Sequence, residues 1–441
     1  MTRILHALAA AFLLALAATL PARAAIDIVP VTSPGGITAW LYEDHTIPMV
    51  SLEASFRGGS ALDPEGQAGA VNLMTALLEE GSGDLDATAF AQARDDLAAG
   101  FSFDAGRDEV AVSARMLSEN LDASVDLLRA ALVEPRFDAE AVARVRGQVA
   151  SILRSDETDP DAIASRAFYA EAFPGHPYAL PPDGTLATVA DLDAEAVRAA
   201  HRAALAKDRL MIAVVGDIDA ERLGPLLDRL FGDLPETGAP LPEVAEPATA
   251  GTLSVIDLGI PQSVVVFGHA GIPRDDPDFI PAFVMDHILG GGGFGSRLTE
   301  EVREKRGLTY GIYTYLAPGD FGALYMGRFS SANGRVAEAL GILREEWALM
   351  AEEGVTEAEL EDAKRYLTGA YPLRFDGNER IAGQLLGLQT AGLDIDYVNE
   401  RNDLVEAVTR EDIARVARRI LDPEHLTFVV VGRPEGVQAT N

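Results

Sequence analysis

Apolar and polar positions alternate over Ile47 to Phe56 (IPMVSLEASF), the pattern of a strand with one face in a core, and Arg57-Gly58-Gly59 ends it. After a polar loop, Ser60 to Gln67, apolar positions recur at helical spacing over about 68–80, then over 87–99 and 118–133, with a strand-like run, 101–114, between the last two. Asp138 stands as an N-cap before a helix over 139–154, and Asp193 before one that runs to about Ala206. Between them Phe173-Pro174-Gly175-His176-Pro177-Tyr178, followed by Pro181-Pro182-Asp183-Gly184, predicts a rigid turn region. Leu210 to Val215 is apolar throughout, as a buried strand is, and stops at Gly216-Asp217.

Glu236 to Ala250 is rich in Pro, Ala and Glu and reads as a linker. Beyond it the pattern repeats. Ile260-Pro261 answers Ile47-Pro48 at an offset of 213. Leu426, Val430, Val431 and Gly432 answer Leu210, Val214, Val215 and Gly216 at 216, and Thr409 answers Asp193 at the same 216. Thr356, which opens a capping box with Glu359, answers Asp138 at 218. Short apolar strands match by chance; their order and spacing do not, so one α+β unit is used twice. Strands and helices do not alternate strictly. This predicts two homologous lobes, 25–235 and 251–441, joined by 236–250, each an antiparallel-rich sheet with helices on one side.

At 441 residues, 48% of them hydrophobic, the chain can fill more than one core. Arg3, the apolar run Ile4 to Leu20 and the small-x-small site Ala22-Arg23-Ala24 predict a secretory signal peptide over 1–24, cleaved after Ala24. The formal charge is −33, and losing Arg3 and Arg23 with the leader makes it more acidic still, which argues against nucleic acid and anionic membrane surfaces as partners. With no cysteine, disulfides, thiolate metal sites and a cysteine nucleophile are excluded together. For an exported protein that absence points to a bacterial periplasm.

Four consecutive glycines, Gly290, Gly291, Gly292 and Gly293, precede Phe294; such a run suits a backbone that bends sharply or lies close against something else. Leu298, Val302 and Lys305 then fall at helical spacing, and Tyr310 to Tyr315 reads as a strand. The six histidines after the leader are His45, His176, His201, His269, His287 and His425; no two lie within five residues, so no short metal motif exists. Each is expected to be a satisfied structural residue. Asp286-His287 reads as a catalytic dyad or, more simply, as a buried helix-end pair. A nucleophile elbow and a phosphate-binding loop are absent.

The paired halves, His176-Pro177-Tyr178, the Val-Val-Gly strand ends, and the glycine run followed by Arg303-Glu304-Lys305-Arg306-Gly307-Leu308-Thr309-Tyr310 together resemble the pitrilysin-type (M16) zinc peptidases. That family includes mitochondrial processing peptidase, and the resemblance covers nearly all of the chain after the leader. It implies that the first half should carry His-x-x-Glu-His on a helix, with a third ligand, a Glu, about two helices later. Those positions hold Asn72, Thr75 and Ala76, and then Ser151 or Ile152. Alanine cannot ligate, threonine is no base at neutral pH, and an amide is a poor zinc ligand.

The resemblance also implies that Arg303 and Tyr310 face a zinc centre across a closed chamber and donate to the substrate backbone and the developing oxyanion. Gly290 to Gly293 with Phe294 would let a substrate or partner backbone come close. The expectation is therefore a non-catalytic subunit of a heterodimeric exported zinc peptidase. It would hold no cofactor of its own. Zinc would sit on a homologous chain bearing His-x-x-Glu-His, the ligands would be unfolded or short peptides, and the compartment would be the periplasm. The alternatives are a structural or peptide-binding scaffold, like the core subunits of the cytochrome bc1 complex, and a lone zinc peptidase with unorthodox ligands.

Overall fold

The computed structural model describes residues 27–440, so the signal peptide predicted over 1–24 lies outside the described residues. The first half runs through β1 (Val29–Thr32), β2 (Thr38–Glu43) and β3 (Met49–Arg57), then a small ribbon of β4 (Gly81–Ser82) and β5 (Leu85–Asp86), then β6 (Gly100–Ala105), β7 (Glu109–Leu117) and β8 (Leu210–Gly216). All but the ribbon join one sheet in the order β1-β2-β8-β3-β7-β6. The second half supplies β9 (Leu253–Asp257), β10 (Gln262–Ala270), β11 (Thr309–Gly319), β12 (Gly322–Ala332) and β13 (Thr427–Gly432), in the order β11-β12-β10-β13-β9.

Counted from β9, the second order repeats the first without β1. Even the exception recurs: β2 with β8 and β9 with β13 are parallel, and the other pairs are antiparallel. The α+β class and the duplicated, antiparallel-rich sheet read from the sequence are thus the observed architecture.

The halves exchange helices. Helix Pro160–Ala172 of the first half lies on β10 and β13 of the second, and helix Asn378–Thr390 of the second lies on β3 and β8 of the first. Phe168, Phe173 and Tyr178 enter a shared core with Val264, Val266, Leu324, Val429 and Val431. Gly268 on β10 makes room, since a Cβ there would stand 3.1 Å from the Phe168 ring. On the other side Ile381, Ala382, Leu385 and Leu386 cover Ala213 and Val215, and Gln389 Nε2 donates to the Ile212 carbonyl at 2.8 Å.

The exchange explains why β3 departs from the expected half-buried strand. Its polar alternates Ser51, Glu53 and Ser55 are as buried as its apolar ones, because that face is roofed by the other half's helix. Burial pushes the Glu53 carboxyl up to about 7, while a hydrogen bond from Ser113 pulls the other way.

The segment 236–250 has no regular structure, yet it is stapled down: the Ala245 amide donates to the Phe321 carbonyl at 2.9 Å and the Ala248 amide to the Ala172 carbonyl at 2.7 Å.

Several elements differ from their sequence expectation. The run 101–114 is two strands, β6 and β7, because Gly106-Arg107-Asp108 turns the chain. The helix expected over 68–80 is regular only over Ala70–Thr75. Beyond it the amides of Leu77, Leu78 and Glu80 bond back three residues, a tightened turn that tucks both leucines inward. Asp138 precedes helix Ala139–Asp156 without capping it; its carboxylate takes Arg136 Nε at 2.8 Å instead. Asp193, Thr356 and Thr409 do cap their helices.

Phe168 carries the exchange most directly, being fully buried between the lobes. Phe168→Ala should cost about 3–5 kcal/mol in urea unfolding and expose 236–250 to proteolysis. An unchanged midpoint with an uncut strap would contradict this packing.

Candidate functional site

The helix where a peptidase of the resembling family would hold zinc has no donors to offer. Asn72 is half-buried, and Thr75 is buried with its hydroxyl donating to the Asn72 carbonyl at 2.8 Å. Ala76 is exposed, as are Ser151 and Ile152 on helix Ala139–Asp156. An amide, a committed hydroxyl and a methyl do not fit a zinc ion. Among the described residues no three His, Asp or Glu side chains converge on one point. The helix is fixed instead by a group that spacing did not flag: the Asp63 carboxylate accepts the amides of Gly69 at 2.7 Å and Val71 at 2.8 Å. Burial pushes Asp63 up to about 7. Its partners lie six and eight residues further on, too far for a local capping rule to find.

The second half-site is built. His287–Gly291 forms a π-helical turn, Gly293–Gly295 a short 3-10 turn, and Thr299–Glu304 a second π-helical turn where an ordinary helix was expected. The glycines are not an open loop throughout. Gly290 is buried, and a Cβ there would lie 2.3 Å from Thr314 Oγ1; one at Gly291 would lie 2.4 Å from Asp286 Oδ2. Gly290 packs against Thr314 of β11, whereas Gly291, Gly293, Phe294 and Gly295 are exposed.

Arg303 and Tyr310 flank the outer turn. The Arg303 guanidinium lies over the Phe294 ring, 4.5 Å from its centroid, with Glu304 Oε1 3.4 Å away. Tyr310 opens β11 at 87% exposure and makes no side-chain hydrogen bond to a described residue. It is therefore not a core residue. The pairing of β11 with β12 shifts register between Thr309 and Ile312, around Tyr310, and Tyr313 and Tyr315, stacked on each other, continue the exposed face of the strand.

The histidines hold no catalytic arrangement. Asp286 and His287 part company: Asp286 accepts from Thr314 Oγ1 at 2.6 Å, while His287 stacks on Tyr366 with 5.1 Å between ring centroids. Trp347 Nε1 lies 3.1 Å from His269 Nε2, whose other nitrogen faces the Ala270 carbonyl at 2.7 Å, so the ring is neutral with its proton on Nδ1. Burial lowers both His269 and His287.

Behind the glycines, burial pushes Asp286 up to about 6. A carboxyl raised in the folded state binds its proton more tightly there than when unfolded. Its contribution to stability therefore falls as pH climbs from about 4 to about 6 and is level beyond. Asp286→Asn removes that fall. Between pH 4 and 7, urea unfolding should shift the difference between the two proteins by roughly 2–3 kcal/mol in favour of the variant. A pH-independent difference would contradict the buried carboxyl.

The description Insulinase (Peptidase family M16) belongs to the family model that matches residues 39–185, and Peptidase M16 inactive domain to the one that matches 191–367. The non-peptidase homolog YmxG of Helicobacter pylori is 27% identical over 397 residues, 88% of this chain and 90% of its own. An uncharacterized zinc protease of Mycobacterium leprae is 24% identical over 404 residues, 89% of each. Among solved structures, a peptidase M16 inactive domain from Pseudomonas fluorescens superposes with a TM-score of 0.87 at 28% identity, over 93% of this chain and 99% of that one. A protease from Helicobacter pylori, 16% identical, shares the fold at a TM-score of 0.83 over 92% of this chain. Both halves are matched, and the positions that would carry the metal hold an amide, a hydroxyl and a methyl: this chain belongs to the M16 peptidase family, as an inactive member.

Proposed function

We propose that this chain is the non-catalytic subunit of a heterodimeric, exported zinc peptidase, and that Arg303 and Tyr310 serve the metal site of a homologous partner. One observation carries the reading. The Tyr310 phenol is presented to solvent without an internal hydrogen-bond partner, Arg303 is held over an aromatic ring, and the chain's own metal helix is bare. A phenol kept for packing would be buried; one kept for a ligand stands as this one does.

The chemistry suits both groups. A guanidinium offers a rigid fork of donors, and a phenol a single one; both strengthen when a closing cavity excludes water. Stacking on Phe294 fixes the guanidinium plane and leaves its edge for a peptide carbonyl or the oxyanion formed from it. Zinc on the partner would supply the activated water. The glycine backbone at Gly293 and Gly295 lets an extended peptide pass without meeting a side chain, and the leader would place the pair in the periplasm.

The scaffold reading draws on a different observation, the contact of Arg303 with Glu304, which holds the arginine whether or not a substrate exists. Peptide hydrolysis by the purified pair separates the two. Arg303→Ala and Tyr310→Phe should each lower kcat by about 10²–10³, with the partner's zinc content unchanged. A pair that works equally well without either side chain has no need of these donors, and a native complex without any turnover supports the scaffold.

A further inference from the structure

The two hairpins that mirror each other across the duplication meet at the junction of the lobes. The β6–β7 turn brings Arg107 and Asp108, and the β11–β12 turn brings Asp320 and Phe321. Tyr178 ties them together: its hydroxyl donates to Asp108 and takes the Phe321 amide at 2.9 Å. Arg57 pairs with Asp320. Beside this tie lies a cavity of 350 Å³, walled by Arg107, Asp108, Tyr169 and Tyr178 from the first half and by Pro318 and Leu324 from the second.

Arg107 is the unexplained group there. Its guanidinium lies flat on Tyr169, 3.7 Å from the ring centroid, and donates no hydrogen bond to any described residue. Its Nε is fully shielded from solvent and unpartnered, and so is the Nε of Arg166, one turn earlier on the helix that carries Tyr169. A buried guanidinium N–H without an acceptor is costly, and Arg107, on the cavity wall and donating to no described residue, keeps its terminal N–H groups for a planar anion.

The acids nearby do not fill it. Asp108 is committed to Tyr178 and Asp320 to Arg57. Asp183 stands in the field of both arginines, with burial the largest influence on it and raising its carboxyl above the usual range. Burial likewise disfavours the Arg107 cation, so an arriving anion relieves it.

We infer that Arg107, stacked on Tyr169, is the receptor for a carboxylate of the peptide held between the lobes. The inference rests on the peptide-binding reading above and names the end of the ligand that is held. The chain's charge of −33 repels anions at long range. A ligand with a basic body and one carboxylate satisfies both the field and the pocket, which describes a peptide bound by its C-terminus; an Asp or Glu side chain is the other source of the same chemistry. Tyr310 and Ala317 sit on one strand seven residues apart, so the carboxylate would be anchored about 23 Å from the Arg303/Tyr310 end.

Fluorescence anisotropy on the intact chain tests this with three forms of one labelled basic peptide: the free acid, its C-terminal amide, and the amide with one internal Glu. The native protein should bind the free acid about tenfold or more tightly than the amide. Arg107→Gln should bind both alike. If the internal Glu restores Arg107-dependent binding, the pocket takes a side-chain carboxylate as well as a terminal one. The ratio is taken within each variant, so a general loss of stability cannot imitate it. Binding of all three peptides alike by the native chain, or a full ratio kept by Arg107→Gln, overturns the pocket and leaves the peptide reading standing. Failure to bind any of them overturns both.

Discussion

Each half of this protein roofs the sheet of the other, and the rest of the structure depends on that exchange. Helix Pro160–Ala172 drives Phe168 and Phe173 into the second sheet, and helix Asn378–Thr390 closes the polar-looking face of β3. Full burial of an aromatic side chain is worth a few kcal/mol. Several such groups at one junction set the position of one lobe against the other and bring the β6–β7 and β11–β12 turns together. The cavity at their junction is thus a consequence of how the sheets are covered.

The two halves have diverged in opposite directions on that common frame. In the first, the helix that would hold a metal is short, capped by Asp63, and carries Asn72, Thr75 and Ala76. In the second, the equivalent region has become a pair of π-helical turns packed through Gly290 against Thr314. Extra residues in a turn re-aim the chain downstream of it, and here they set Phe294, Arg303 and Tyr310 at the surface. Losing donors on one side while keeping them on the other is the asymmetry that the proposed division of labour explains.

Much of this was legible in the residues. The near-constant offsets linking Leu210 to Leu426 and Asp193 to Thr409 expose the duplication because caps and buried strands leave strong local patterns. The bare metal helix was equally plain, since ligand chemistry is a matter of residue type. Other features depended on contacts far apart in sequence. Ser51, Glu53 and Ser55 read as a solvent face because nothing local announces a helix arriving from residue 378 onward. Asp63 caps a helix across a loop, and Arg107 sits in what read as the middle of a strand, so its turn and its stack on Tyr169 were invisible. The glycine run is plain in the sequence, but that Gly290 faces inward is decided by Thr314, on a strand the run itself does not specify.

The proposed division of labour puts hydrogen-bond donors on this chain and the metal on another. Peptide turnover and metal content, measured on the isolated chain and again after addition of a homologous chain carrying His-x-x-Glu-His, address that directly. The chain alone should show no turnover and no stoichiometric zinc, with chelator-sensitive hydrolysis appearing only in the complex. Chelator-sensitive hydrolysis by the isolated chain would rule the division out.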